Sequence, residues 1–84
     1  MSYTIIIKHS AEKELQSLPP RIHNRVATRL LALEDNPRPV GIKKLQGEES
    51  YRLRIGDYRV LFTIDDQQKQ ITIYSIGHRR EVYR

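Results

Sequence analysis

The sequence predicts a small α+β domain in which a helical hairpin packs on one face of a mostly antiparallel four-stranded sheet. Apolar residues recur at helical spacing in the first half of the chain and alternate with polar residues at strand spacing in the second half. The 84 residues are enough for one domain, which we expect to span positions 1–84. The predicted order of elements is β-α-α-β-β-β.

The first strand and both helices are predicted in the N-terminal half. Tyr3 to Lys8 favours a strand because it is rich in β-branched and aromatic residues. Ser10 is a suitable N-cap for a short helix, and Pro19-Pro20 separates that helix from a second one, which ends before Pro37. The apolar positions at helical spacing are Ala11, Leu15 and Leu18 in the first helix and Ile22, Val26, Leu30 and Leu33 in the second.

Three strands are predicted after a loop from Pro37 to Ser50. Tyr51–Ile55 and Tyr58–Asp65 flank Gly56-Asp57, a two-residue connection with glycine first, which favours a type II′ hairpin turn. Lys69–Ile76 is the last predicted strand, and the segment GHRREVYR follows it. We expect the chain to leave the sheet after Gly77.

The hairpin is expected to gather three arginines. With a two-residue turn, Arg54 lies opposite Arg59 and Arg52 lies opposite Leu61. Because side chains alternate along a strand, Arg52, Arg54 and Arg59 share the face that the helices do not cover. Like charges placed opposite each other destabilise a sheet. The cluster therefore indicates either a solvated face or a surface that binds a polyanion, since guanidinium groups bind phosphate oxygens bidentately.

The last strand brings a tyrosine to the same face. Ile71 and Ile73 have the alternation of the core, so Tyr74 and Ile76 are predicted on the arginine side. Two interpretations of Tyr74 stay open: its ring stacks on a nucleobase, or it packs across the sheet against Leu61.

Composition restricts the partners. The net charge is +5, from 15 Lys and Arg against 10 Asp and Glu, which favours a nucleic acid, an anionic membrane surface or an acidic protein as partner. No apolar run approaches the ~20 residues that span a membrane, and no signal peptide is visible. The chain has no cysteine, which fits a cytoplasmic protein without disulfides. The acidic residues are scattered and Asp65-Asp66 suits a turn, so we expect neither a metal nor another cofactor.

Three segments together resemble the RelE family of toxins from toxin–antitoxin modules, within the RelE/ParE superfamily. They are KKLQG, YRLRIGDYRVLF and SIGHRREVYR, in this order and spacing behind two helices and an opening strand. The closing GHRREVYR is similar to the RNA-cleaving branch rather than the gyrase-poisoning branch. The resemblance implies a ribosome-dependent endoribonuclease that enters the A site of the 70S ribosome and cuts mRNA. It also implies a RelB-like antitoxin that wraps around the toxin.

The resemblance also implies which residues form the site. Arg52 and Arg54 match basic positions on the first hairpin strand, and Arg59 matches the arginine of the family's YR. Arg79 matches the arginine after the glycine-basic pair, and Tyr83 matches the tyrosine near the chain end. Some members have lysine at the positions of Arg52 and Arg54. An arginine, with a pKa above about 12, cannot act as a base as a lysine can.

RNA cleavage by attack of the 2′-OH on the adjacent phosphate needs a base, stabilisation of phosphoryl charge and an acid. We expect Arg59 and Arg79 to stabilise the phosphate, while Arg54 does the same or favours ionisation of a neighbour. Tyr83 is the predicted base, since nearby guanidinium groups favour the phenolate. His78 is the alternative base or acid, or else a loop histidine with no role. The residues expected to hold the RNA are Arg52, Lys43, Lys44, Arg80 and Arg84.

Two other functions fit the same features. A ParE-like inhibitor of DNA gyrase would share the fold without nuclease activity. A non-enzymatic nucleic-acid-binding module would use the cationic face and bind free nucleic acid in a salt-dependent manner. A third alternative is an inactive remnant that still binds its antitoxin.

Overall fold

A computed structural model describes residues 2–45 and 49–78 of the chain. The elements are β1 (Thr4–Ile7), α1 (His9–Gln16), α2 (Pro20–Ala32), β2 (Ile42–Lys44), β3 (Ser50–Ile55), β4 (Tyr58–Asp65) and β5 (Gln70–His78). The strands form one sheet in the order β1-β5-β4-β3-β2. The β1–β5 pair is parallel and the other pairs are antiparallel. The α+β class, with two helices packed on a mostly antiparallel sheet, is confirmed.

The sheet has a fifth strand that was predicted as part of a loop. In β2, Ile42 pairs with Leu53 and Lys43 pairs with Arg52, so β2 extends the sheet beyond β3. A strand of three residues is too short to show the alternation that identifies strands in a sequence. Its position follows from pairing with β3 and from the packing of Ile42 against the core.

The first helix begins earlier than predicted. Lys8, in extended conformation, is the residue before the helix, and Ser10 lies inside the first turn, so the prediction of Ser10 as N-cap was wrong. The amide of Lys8 donates to Ile73 O at 2.9 Å, so pairing with β5 continues up to Lys8. The chain then enters α1 without an intervening loop. The second helix begins at Pro20 and follows Pro19, as predicted.

The core lies between the two helices and one face of the sheet. The helices contribute the predicted stripes, and full burial of each valine or leucine side chain among them stabilises the fold by about 1.5–3 kcal/mol. The buried residues of the core are Ala11, Leu15, Val26, Leu30 and Leu33 from the helical half and Tyr51, Leu53, Ile55, Val60, Phe62, Ile64, Ile71, Ile73 and Ile76 from the strands. Within the described ranges, no helix is long and apolar enough to cross a membrane.

The β3–β4 hairpin has the predicted register. Gly56 has φ +60°, whereas Asp57 does not have a positive φ, which is the pattern of a type II′ turn. Ile55 therefore pairs with Tyr58, and Arg54 pairs with Arg59. A local signal of two residues is enough to align the whole hairpin, because each later pair follows from the first.

The β4–β5 pair contains a β-bulge at Tyr74. Leu61 pairs with Ser75 whereas Phe62 pairs with Ile73, so Tyr74 is an extra residue on β5. The alternation changes after the bulge, and Ile76 turns into the core, where it is 1% exposed. The prediction that Ile76 lies on the arginine side was therefore wrong, because it assumed an unbroken alternation.

Candidate nucleic-acid interface

The sheet face opposite the helices carries Arg52, Arg54 and Arg59, and we call it the arginine face. The register places Arg54 opposite Arg59, with Arg52 two residues before Arg54 on the same strand. Their environments differ, since Arg54 is exposed, Arg52 is partly exposed and Arg59 is only 8% exposed. A guanidinium group buried as deeply as that of Arg59 is held in place by its surroundings. The face is therefore more than a set of freely solvated charges.

Two arginines meet at the hairpin turn from opposite sides of the sheet. Nε of Arg54 donates to the carbonyl oxygen of Gly56 at 3.3 Å. On the helix side, NH1 of Arg25 lies 3.5 Å from the position that a Cβ on Gly56 would occupy. Positive charge thus continues around the turn from the arginine face towards α2.

The short strand β2 separates the two adjacent lysines. Lys43 pairs with Arg52 and so lies on the arginine face, whereas Lys44 pairs with Tyr51 and faces the helix side. Nζ of Lys44 also lies 3.7 Å from a carboxylate oxygen of Glu49. Of the two lysines predicted to hold RNA, the fold brings Lys43 to the arginines and turns Lys44 away.

His78 lies on the helix side of the sheet. It pairs with Tyr58, and the two rings make an edge-to-face contact with centroids 5.5 Å apart. Together with Glu14 and Ser17 it lines a cavity of about 270 Å³ beside the junction of the helices. The structure does not bring His78 to the arginine face, and a role for it as acid or base stays a prediction.

Four predicted site residues lie outside the described residues. They are Arg79, Arg80, Tyr83 and Arg84. Strand β5 ends at His78, one residue beyond Gly77, which pairs with Arg59. The prediction that the chain leaves the sheet after Gly77 was therefore wrong for His78, which still pairs with Tyr58.

The half of the arginine face that lies away from the hairpin turn carries no arginine in the described part of the chain, and the carboxylate residue Asp65 lies at its edge, at the end of β4. A row of pairs runs across it from Ser50 through Thr63 and Thr72 to Ile6. Tyr74 extends onto this half, where its hydroxyl shares a hydrogen bond with the hydroxyl of Ser50. The structure thus places Tyr74 on the predicted side of the sheet. The sequence did not predict the hydrogen bond between Tyr74 and Ser50, because the two residues are 24 positions apart.

A separate charged cluster lies at the opposite end of the sheet from the hairpin turn. NH2 of Arg38 contacts Asp66 Oδ2 at 2.9 Å, and the hydroxyl of Tyr3 donates to Asp66 Oδ1 at 2.6 Å. These two hydrogen bonds lower the pKa of Asp66 to about 2, and the bond to Asp66 raises the pKa of Tyr3. The guanidinium of Arg38 also lies 5.4 Å from the ring centroid of Tyr51. We call this group the Asp66 cluster; its internal pairing of charges indicates a structural role.

The neighbouring Asp65 forms the turn that the sequence predicted for Asp65-Asp66. Its Oδ1 accepts the amides of Gln67 at 3.0 Å and Gln68 at 3.1 Å. Among residues 2–45 and 49–78, no three His, Asp or Glu side chains are grouped in a way that could hold a metal ion.

Known proteins resemble this chain over its whole length. A family model described as the ParE toxin of a type II toxin–antitoxin system, parDE, matches residues 5–83. Toxin RelG of Mycobacterium tuberculosis is 36% identical over 87 residues, which cover 100% of this chain and 99% of that protein. The putative toxin RelE1 of Methanocaldococcus jannaschii is 32% identical over 88 residues, covering 100% of this chain and 98% of that protein.

The fold is also similar to that of one chain in a solved complex. The crystal structure of the archaeal RelE–RelB complex from Pyrococcus horikoshii contains a chain that superposes with a TM-score of 0.85 at 33% identity. The superposition covers 96% of this chain and 99% of that chain.

Proposed function

Because this chain belongs to the RelE/ParE superfamily of toxins from type II toxin–antitoxin modules, we propose that it inhibits translation by cleaving mRNA in the ribosomal A site. The observation that carries the proposal is the arginine face, where Arg52, Arg54 and Arg59 lie together on one side of a single hairpin. Such a cluster of guanidinium groups stabilises the negative charge that develops on a phosphodiester during its cleavage. The natural partner is then a RelB-like antitoxin, as in the solved RelE–RelB complex, and the place of action is the cytoplasm.

The proposed reaction is the attack of a ribose 2′-OH on the adjacent phosphate with departure of the 5′-oxygen. Negative charge grows on the non-bridging oxygens in the transition state, and fixed guanidinium donors stabilise that charge better than mobile ones. Arg59 suits this role because its side chain is buried and therefore already ordered. Arg79 acts with it, Arg54 adds a further charge beside Arg59, and Arg52 holds the RNA backbone.

Tyr83 is the proposed general base. Arginine does not lose its proton at physiological pH, so Arg52 and Arg54 act only through their charge. His78 lies on the helix side, beside Tyr58, which favours Tyr83 over His78 as the group that takes the proton of the 2′-OH. The mechanism needs no metal, since charge stabilisation comes from the arginines.

The ribosome supplies what this small protein lacks. Correct alignment of the 2′-OH, the phosphorus and the leaving oxygen contributes a large part of the rate of such a reaction. We propose that the A site holds the mRNA in that geometry while the arginine face provides the charge. Lys43, beside Arg52, contributes to binding of RNA together with Arg80 and Arg84. The exposed Lys44, on the helix side of the sheet, contacts RNA away from the arginine face.

Inhibition of DNA gyrase is the second candidate, and the family model named for the ParE toxin favours it. A gyrase inhibitor does not need a cluster of arginines that stabilises a phosphoryl transition state. The two functions therefore differ in what the arginine face does, and substitutions on that face separate them.

The test is cleavage of mRNA on purified ribosomes, read by primer extension, next to a gyrase supercoiling assay. Wild type should produce cuts aligned to codons and leave gyrase active. Arg59→Ala and Arg79→Ala should each lower the cleavage rate by about 10²-fold or more, the usual loss of one transition-state donor. Arg21→Ala removes the same charge from an exposed position on α2 and is the matched control. Inhibited gyrase with intact mRNA would reject the nuclease, and equal rates for all variants would reject the roles of these arginines.

A further inference from the structure

Tyr74 occupies an unusual position on the arginine face. It is the extra residue of the β5 bulge, and its hydroxyl bonds to Ser50 on β3, two strands away. Neighbouring strands are about 4.8 Å apart, so the Cα atoms of β3 and β5 are separated by roughly 10 Å. The phenol group must therefore extend across β4, along the surface of the sheet.

The surroundings indicate what the ring covers. Leu61 lies on the arginine face next to the bulge and is only 9% exposed, although both described helices lie on the other side of the sheet. An aromatic ring extending over β4 helps to cover this apolar side chain. The packing of Tyr74 across the sheet that the sequence suggested is thus one half of its role.

The second part of the role involves the side of the Tyr74 ring that faces away from the sheet. Tyr74 keeps part of its surface exposed, while its hydroxyl is already bound to Ser50, which is 1% exposed. The accessible part of the side chain is therefore mostly aromatic carbon, and the hydrogen bond limits its motion. A ring held in this way loses little conformational entropy when it binds a planar ligand.

The charge nearby indicates the class of ligand. Arg52 lies two residues from Ser50 on the same strand and the same face, a distance of about 6.6–6.8 Å along the strand. If a polyanion stacks one of its planar groups on Tyr74, its charged groups come within reach of Arg52. Single-stranded RNA combines these features, since its bases stack on aromatic rings and its phosphates bind guanidinium groups.

We propose that Tyr74 is a nucleobase-stacking residue that binds one base of single-stranded RNA on the arginine face. The inference rests on the proposed function, because the RNA is the proposed substrate. It adds a base-binding position on the half of the face away from the hairpin turn, separate from the residues assigned to the phosphate. Ser50 is its positioning residue, which holds the ring across β4.

The first test uses fluorescence. The chain contains no tryptophan, so Tyr74→Trp introduces a single tryptophan that reports on its own surroundings. Stacking of a base on the indole should quench this fluorescence when a single-stranded oligoribonucleotide is added. Tyr58→Trp, on the helix side, is the matched control and should show little quenching. Equal quenching in both variants, or none in Tyr74→Trp, would overturn the proposal.

The second test uses affinity for the same oligoribonucleotide at constant salt concentration. Tyr74→Leu removes the ring and should weaken binding by about 5- to 100-fold, the range expected for loss of one base–aromatic stack. Tyr74→Phe keeps the ring without its hydrogen bond and should lose less. An oligonucleotide without bases but with all phosphates should bind wild type and Tyr74→Leu equally. Circular dichroism verifies folding. If the leucine variant does not fold, the quenching of Tyr74→Trp by normal RNA, compared with quenching by the base-free oligonucleotide, decides.

The outcomes separate this proposal from the nuclease itself. Codon-aligned cleavage together with equal RNA affinity of wild type and Tyr74→Leu would overturn base stacking and leave the nuclease intact. Weaker binding by Tyr74→Leu and quenching in Tyr74→Trp, with no cleavage of ribosome-bound mRNA, would support base stacking and reject the nuclease.

Discussion

Deleting one residue from β5 tests whether the bulge at Tyr74 sets the faces of the strand. In the structure Ile73 and Ile76 both face the core, although two residues lie between them. Deletion of Tyr74 leaves Ser75 alone between the two isoleucines, which restores a regular alternation with both still in the core. Deletion of Thr72 instead brings Ile71 next to Ile73, so one of two fully buried isoleucines must leave the core.

The two deletions should change the free energy of unfolding by clearly different amounts. Without Tyr74 the protein loses a hydrogen bond to Ser50 and part of the cover over Leu61, each about 0.5–1.5 kcal/mol. It regains a regular ladder at the bulge, which offsets one of these two losses. We expect a change in unfolding free energy within about 1 kcal/mol, or about 4–8 °C in Tm. Without Thr72, expulsion of an isoleucine costs about 2–5 kcal/mol. An 84-residue domain has a total stability of only about 4–13 kcal/mol, so this deletion removes a large part of it.

Urea denaturation followed by circular dichroism measures both free energies. The deletion of Tyr74 should give a cooperative transition near that of wild type, with an unchanged m-value. The deletion of Thr72 should shift the midpoint strongly or abolish the transition. If both deletions destabilise the protein equally, the bulge does not set the faces of β5, and the placement of Tyr74 loses its basis.

Three further predictions concern residues outside the bulge. The pKa of Asp66 is lowered to about 2 in the fold, so its contribution to stability is present above the unfolded pKa of about 3.9 and is lost as pH falls through about 2. Asp66→Asn should therefore lower Tm at pH 7, and the difference from wild type should vanish near pH 2; a constant difference would contradict the cluster's ionic role. Gly56→Val should cost about 1–3 kcal/mol in unfolding free energy because φ is +60°, whereas Gly56→Asn should cost less; equal losses would point away from backbone strain. Glu14→Ala should cost about 1–3 kcal/mol, since the carboxylate accepts the amide of Ile76 at 2.8 Å, and the exposed Glu12→Ala is its control, with thermal unfolding as the measurement.

Local patterns in the sequence predicted most of the fold. The helical stripes predicted which side chains of α1 and α2 enter the core, because spacing along a helix decides its buried face. The glycine-first connection at Gly56-Asp57 predicted the register of the hairpin, because a two-residue turn leaves one choice of partner for each strand residue. Both signals act over a few residues, which is why they can be identified without a structure.

The errors and omissions have a common physical cause. Strand β2 forms because its backbone pairs with β3 and Ile42 packs against the core, and the Asp66 cluster joins Tyr3 to a residue 63 positions later. Ser10 is not the N-cap because β1 keeps pairing with β5 up to Lys8. Each feature depends on a partner that is distant in the sequence, and no periodicity within one segment reports on such a partner.

The arginine face combines both kinds of information. Local alternation and a short turn determined that Arg52, Arg54 and Arg59 share one side, since these rules depend only on neighbouring residues. The tertiary structure alone decided that Lys43 joins them and that His78 lies on the other side. Those two placements depend on pairing between distant strands and on the bulge at β5, where the packing of the core outweighs simple alternation.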